Sequence, residues 1–145
     1  MERKYLPQLS ELIDRLSVVT LKSIKLGVDI DKKESYEKEA DLIMHDINLL
    51  MQEKKIEVKD WGRLIRGIQF DMLANEVIWT NETQARIGGE SQNHLLPFTH
   101  SVNAVRMLGG NMIAYQTGET KDLNSDKLKN DICIQRGYNF SGCFR

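Results

Sequence analysis

Tryptophan, asparagine, glutamate, histidine and arginine gather in one stretch of this 145-residue chain. Asn75, Glu76, Trp79, Glu82 and Arg86 follow an apolar run, and His100, Asn103 and Arg106 come soon after. Each type brings its own ligand chemistry. Arginine offers a planar fork of donors that matches phosphate or carboxylate, asparagine both donates and accepts, and histidine titrates near neutral pH. Trp79 is suited to stack on a base or a sugar. Arg86 and Arg106 would contact phosphate or another anion. Asn103, Asn75 and His100 would fix its orientation, and Glu82 or Glu76 would accept hydrogen bonds from hydroxyls. The set describes a pocket for a small polar anionic ligand that is nucleotide-, cyclic-nucleotide- or sugar-phosphate-like.

Helices must position these residues. Low proline content and the spacing of apolar residues predict five helices in an irregular, single-domain all-α bundle spanning residues 1–145. The first runs from about Pro7 to Leu26, with Leu9, Leu12, Ile13, Leu16, Val19 and Ile24 on one face. The second runs from about Lys33 to Lys54, with a stripe of Tyr36, Ala40, Ile43, Ile47, Leu50 and Met51. The third follows Asp60, a candidate N-cap, and extends to Arg86, where Gly88-Gly89 breaks it. Residues 87 to 98 read as a loop. The fourth runs from about Thr99 to Gln116 with Gly109-Gly110 inside, which either lets a backbone or ligand approach closely or marks a kink. The fifth has Ser125 as N-cap and Gly137 past its end, with Leu128 and Ile132 inward. The tail 138–145 holds Tyr138, Phe140 and Phe144, a composition expected to dock on this domain or on a neighbouring subunit.

Helical geometry sharpens the site. Advancing about 100° per residue from Trp61 puts Ile65, Ile68, Met72 and Trp79 on one stripe, with Asn75, Glu76, Thr83 and Arg86 on or near it and Glu82 flanking it. A stripe that turns from isoleucine and methionine to charged residues either projects into solvent or lines a cavity, because unpaired buried charge is expensive. On the fourth helix Val102, Val105, Leu108, Met112 and Ile113 oppose His100, Asn103 and Arg106. A solvated face is one account of that polar set; its poor helix formers favour ligand contact as the other. Asp14 and Arg15, near the buried edge of the first helix, form either a structural ion pair or a support that orients a site residue. Arg63 and Arg66, with Lys54, Lys55 and Lys59 before them, make a local basic patch.

Composition limits the alternatives. Lys+Arg number 20 against 21 Asp+Glu, for a net charge of −1, which disfavours a broad nucleic-acid surface. Cys133 and Cys143 are too few for a disulfide framework. No apolar run approaches the ~20 residues of a membrane span. The expectation is a cytoplasmic, homo-oligomeric protein without a membrane or an extended nucleic acid as partner, and without a resident cofactor.

Enzyme templates give a second reading. His45-Asp46 resembles the dipeptide of metal phosphohydrolases, but His94 and His100 both come later and do not complete a ligand set. Glu34, Glu37 and Asp41 resemble the first half of the all-α nucleotide pyrophosphohydrolases of the MazG type, which bind magnesium between helices. That alternative would use Glu34, Glu37, Glu76 and Glu82 with Mg²⁺; its second acidic motif departs from the pattern, since Glu76 and Glu82 are six apart. A third reading is a structural oligomerisation protein clasped by its aromatic tail.

Two segments resemble the DUF4254 group of bacterial proteins of unknown function. They are Leu12-Ile13-Asp14-Arg15-Leu16-Ser17 followed by Leu21-Lys22, and Ile78-Trp79-Thr80-Asn81-Glu82 followed by Ala85-Arg86; Ser101-Val102-Asn103 and Arg106 are similar to a later helix of that group. The segments cover about a quarter of the chain and occur in a different order. The chain is also similar to short uncharacterised proteins of tailed bacteriophages. The resemblance implies a helical protein sharing Asp14, Arg15, Trp79, Glu82, Arg86, Asn103 and Arg106, with a sugar- or nucleotide-like ligand. On the phage likeness the role would be anti-defence, the sequestering of a nucleotide-derived immune signal in the host cytoplasm.

Overall fold

A computed structural model of the chain describes residues 7–26, 28–87 and 92–119, with 85–87 and 92–100 described by backbone alone. The regular structure of these residues is helical: α1 (Leu9–Lys25), α2 (Ile30–Glu53), α3 (Trp61–Ile87) and α4 (Gln92–Thr117). The fifth helix and the aromatic tail expected from the sequence lie outside the described residues.

Local chemistry sets the helix ends. The Gln8 N–H donates to Glu11 Oε2 at 3.2 Å, one half of a capping box at the start of α1. Asp29 Oδ1 accepts from the Lys32 N–H at 3.3 Å, so α2 begins three residues before the expected Lys33. Asp60 caps α3 as anticipated, accepting from the Arg63 N–H at 3.0 Å. Gly118, at φ +76°, closes α4 by letting the Glu119 N–H reach the Ala114 carbonyl at 2.8 Å. The loop expected over 87 to 98 is a correction: α4 already runs from Gln92 and passes through Pro97. A proline near a helix start removes one backbone donor, and the helix continues past that single loss.

α3 and α4 form an antiparallel pair. The Lys59 N–H bonds the Gln116 carbonyl at 3.0 Å at one end, and Arg106 meets Asn75 further along. Between these points the backbones come close. A Cβ on Gly109 would stand 3.0 Å from the Gly67 carbonyl oxygen and from the Asp71 nitrogen, so glycine is what this crossing admits. α1 lies across the pair and touches α2, α3 and α4, whereas among the described helices α2 packs on α1 alone. Leu9, Leu12 and Val19 of α1 meet Ala40, Ile43 and Leu50 of α2 in an apolar core. Leu108, Met112 and Ile113 of α4 are buried, but Ile24 of α1 is exposed.

The expected core stripe of α3 needs correcting. Trp61 is 61% exposed and Ile65 52%, while Ile68, Met72 and Trp79 are half-buried. The buried face is instead Leu64, Gly67, Asp71, Ala74, Asn75 and Asn81, about a quarter-turn away. Its small residues permit the close approach of α4, and that approach turns the bulky stripe outward.

Candidate functional site

One polar network joins three helices. On α3, Asn75 Nδ2 donates to Asp14 Oδ1 of α1 at 3.0 Å and to Asp71 Oδ2, four residues back, at 3.3 Å. From α4, Arg106 donates to Asn75 Oδ1 at 3.4 Å, and its Nε stands 3.7 Å from Asp14 Oδ1. Each partner follows from helical spacing: Asp71 and Asn75 share a face at i, i+4, and the glycine crossing brings α4 near enough for Arg106 to span the gap.

Asp71 is the unusual member. It is 1% exposed, and among the described residues its Oδ1 has no hydrogen-bond partner. Burial pushes its pKa from 3.8 up to about 8. The neighbouring Asp14, as an acceptor for the Asp71 proton and as a negative charge, adds to the rise; the Ser17 hydroxyl and the Arg106 charge work against it. At neutral pH Asp71 is therefore a carboxylic acid with an O–H to donate as well as oxygens that accept.

The network borders an open cleft of about 230 Å³ at the start of α1. Gln8, Ser10, Glu11 and Asp14 line one side, with Asp71, Arg106, Gly110 and Asn111 opposite. An added Cβ on Gly110 would meet nothing within 4 Å, so this residue leaves space while its neighbour Gly109 packs on α3.

The residues singled out from the sequence separate here. Asp14, Asn75 and Arg106 come together, the last two at mid-helix on α3 and α4. Asp14 pairs with Arg106, and Arg15 is exposed. Glu76 pairs with Lys25 at 2.7 Å, in an ion pair between α1 and α3. Trp79 and Asn103 are half-buried outside the network, and Glu82 is exposed. Arg86 and His100 lie on helical backbone, and their side chains lie outside the described residues. The basic patch is engaged locally: Arg63 lies 3.4 Å from Asp60, Arg66 sits over the Phe70 ring at 5.7 Å and Lys59 over the Tyr115 ring at 4.6 Å.

The magnesium alternative needs carboxylates from α2 and α3 side by side. α2 and α3 share no packing contact, Glu34 and Glu37 are exposed, and Glu76 is held by Lys25. Among the described residues no group of three His, Cys, Asp or Glu is arranged to hold a metal ion.

Sequence reasoning missed Asp71 and the cleft residues Gln8, Ser10 and Glu11; Gly110 was read only as half of a pair that admits a backbone or a ligand or marks a kink. Asp71 carried a readable signal, with Gly67, Asp71 and Asn75 at four-residue steps and Ala74 and Asn81 seven apart beside them, masked by the bulkier stripe next to it. Compared with known proteins, the chain matches no family model, no curated protein and no solved structure.

Proposed function

We propose that this protein binds a small polar ligand in the cleft where α1 meets the α3/α4 pair. The observation that carries this reading is the cleft itself, lined by the Asp14–Arg106 pair and by the buried carboxyl of Asp71. A ligand hydroxyl placed there would meet groups that both donate and accept. Arg106 is held by long contacts of 3.4 and 3.7 Å, so it can turn to an incoming anionic group with little loss. The cleft volume suits a compact molecule rather than a polymer. The ligand class is a hydroxylated molecule with an anionic group, sugar-phosphate- or nucleotide-like. Hydroxyls would meet Asp71, Asn75 and Asn111, and the anion would meet Arg106. Asp14 and Arg106, two of the residues that the family resemblance implies, form the ion pair at the centre. On the likeness to phage proteins, the ligand would be a nucleotide-derived immune signal, held rather than turned over.

Native mass spectrometry of protein purified from cells tests this directly, because it reads the mass of a retained molecule and the oligomeric state together. The paired variant is Gly110→Leu, which fills the cleft from a position where an added Cβ meets nothing within 4 Å. The expected result is a retained mass in the parent and its loss in Gly110→Leu at unchanged melting temperature. A mass retained equally by both proteins would move the site elsewhere.

A further inference from the structure

A second concavity lies on α1 away from the polar network. Its floor is α1, through Leu9 and Ile13, and its walls are Ile47 and Met51 of α2 and Ile68 and Met72 of α3. Its volume is about 480 Å³, and no packing contact between α2 and α3 closes it. Ser17 and Thr20 also line it, but their hydroxyls donate back to the Ile13 and Leu16 carbonyls at 3.1 and 2.7 Å. With its hydroxyls engaged in this way, the groove suits apolar groups.

A ridge stands beside the groove. Trp61, Ile65, Gln69 and Leu73 follow one another at four-residue steps along α3, and all four are exposed. Trp61 is 61% exposed, Ile65 52% and Leu73 65%. Such an i, i+4 row is the ridge that one helix presents to the groove of another. On the far side of the gap, Met44, 43% exposed, continues the α2 wall of Ile47 and Met51 at three- and four-residue steps.

We infer that this face joins two copies of the chain in a two-fold dimer, with the α3 ridge of each copy seated in the groove of the other. Ridge and groove lie side by side on one face. A two-fold contact needs that arrangement, because the same patch must be complementary to itself. A small apolar molecule would fill the groove and leave the ridge in water, whereas a second copy covers both at once. The size agrees. Trp61, Ile65, Leu73 and Met44 form an apolar centre of a few hundred Å², and the groove lining with its polar surround brings the face to about the 800 Å² per partner of a stable dimer. Tryptophan is also among the residues that most often anchor protein interfaces. This inference is independent of the polar cleft.

Sedimentation equilibrium of the full chain over a series of concentrations tests it. The mass should approach twice that of one chain as concentration rises. Ile65→Lys and Leu73→Lys should each raise the dimer Kd about thirtyfold or more, with the helical circular dichroism of the parent retained. Leu42→Lys is the control, exposed on α2 and about 200° round that helix from Met44, and should leave the Kd unchanged. Photo-methionine at Met51 and Met72, in light and heavy isotopic protein mixed before irradiation, should link to the Trp61–Leu73 stretch of the other copy. A parent that stays monomeric throughout the series would overturn the inference. So would a dimer that survives both α3 substitutions, or links that form within one chain only.

Discussion

Asp71 keeps its proton where an ordinary carboxyl has lost it, and that retention sets how stability changes with pH. Between pH 3.8 and about 8 the folded chain holds one proton that the unfolded chain has released. Folding therefore takes up a proton in this window, and stability falls as pH rises through it. Below the window both states are protonated and the group contributes nothing. Chemical denaturation should show a parent protein less stable at pH 8.5 than at pH 5. Asp71→Asn supplies a neutral donor and acceptor of the same shape, so it should erase that decline, gaining on the order of 1–3 kcal/mol at pH 8.5 and little at pH 5. Equal slopes for both proteins would mean that Asp71 is ionised in the fold. Arg106→Ala tests the other half of the network. It should abolish ligand retention while costing about 1 kcal/mol or less of stability, as its pair with Asp14 is part-exposed. A large drop in melting temperature would assign Arg106 to the framework instead. Arg106 was readable from the sequence because its residue type is conspicuous on a helix face. Asp71 was passed over because its small and polar neighbours on that helix face lie beside a bulkier apolar stripe, and a single carboxylate in such a run reads as a solvated break until burial is known.

At the scale of the helix, adjacent glycines play opposite parts. Gly109 carries no side chain because a Cβ would press on α3 backbone atoms at 3.0 Å. Gly109→Ala should destabilise the protein by about 1–3 kcal/mol in thermal or denaturant unfolding, despite alanine's better helix propensity. Gly110→Ala meets nothing, and should stabilise by about 0.5–1 kcal/mol. The sequence presented this pair as one feature, either a kink or a close approach; only the rotation of α4 against α3 separates the two. The same rotation explains why the α2 stripe was legible and the α3 stripe was not. Among the described helices α2 has one partner, so its apolar residues point to one place. α3 carries two faces, and the small face won the tight packing because close backbones exclude water as well as large side chains do. The length of α4 also escaped the sequence, where Pro97 and neighbouring asparagines and glycines looked like punctuation.

At the scale of the whole molecule, the helical architecture of the described residues was legible, while the unequal attachment of the helices was not. Among the described helices α1, α3 and α4 are mutually packed, and α2 rests on α1 alone. α2 should therefore open as a unit before the rest, with native-state hydrogen exchange reporting lower protection across Ile30–Glu53 than across the middle of α3 and α4. Uniform protection would show that α2 has support beyond α1.

Glu119 reaches back from just beyond α4 to the first N–H groups of α1. A carboxylate at a helix start meets the positive end of the helix dipole, so this one side chain ties the exit of α4 to the entry of α1. Whatever follows Glu119 in the chain leaves from a fixed point rather than from a fraying helix end.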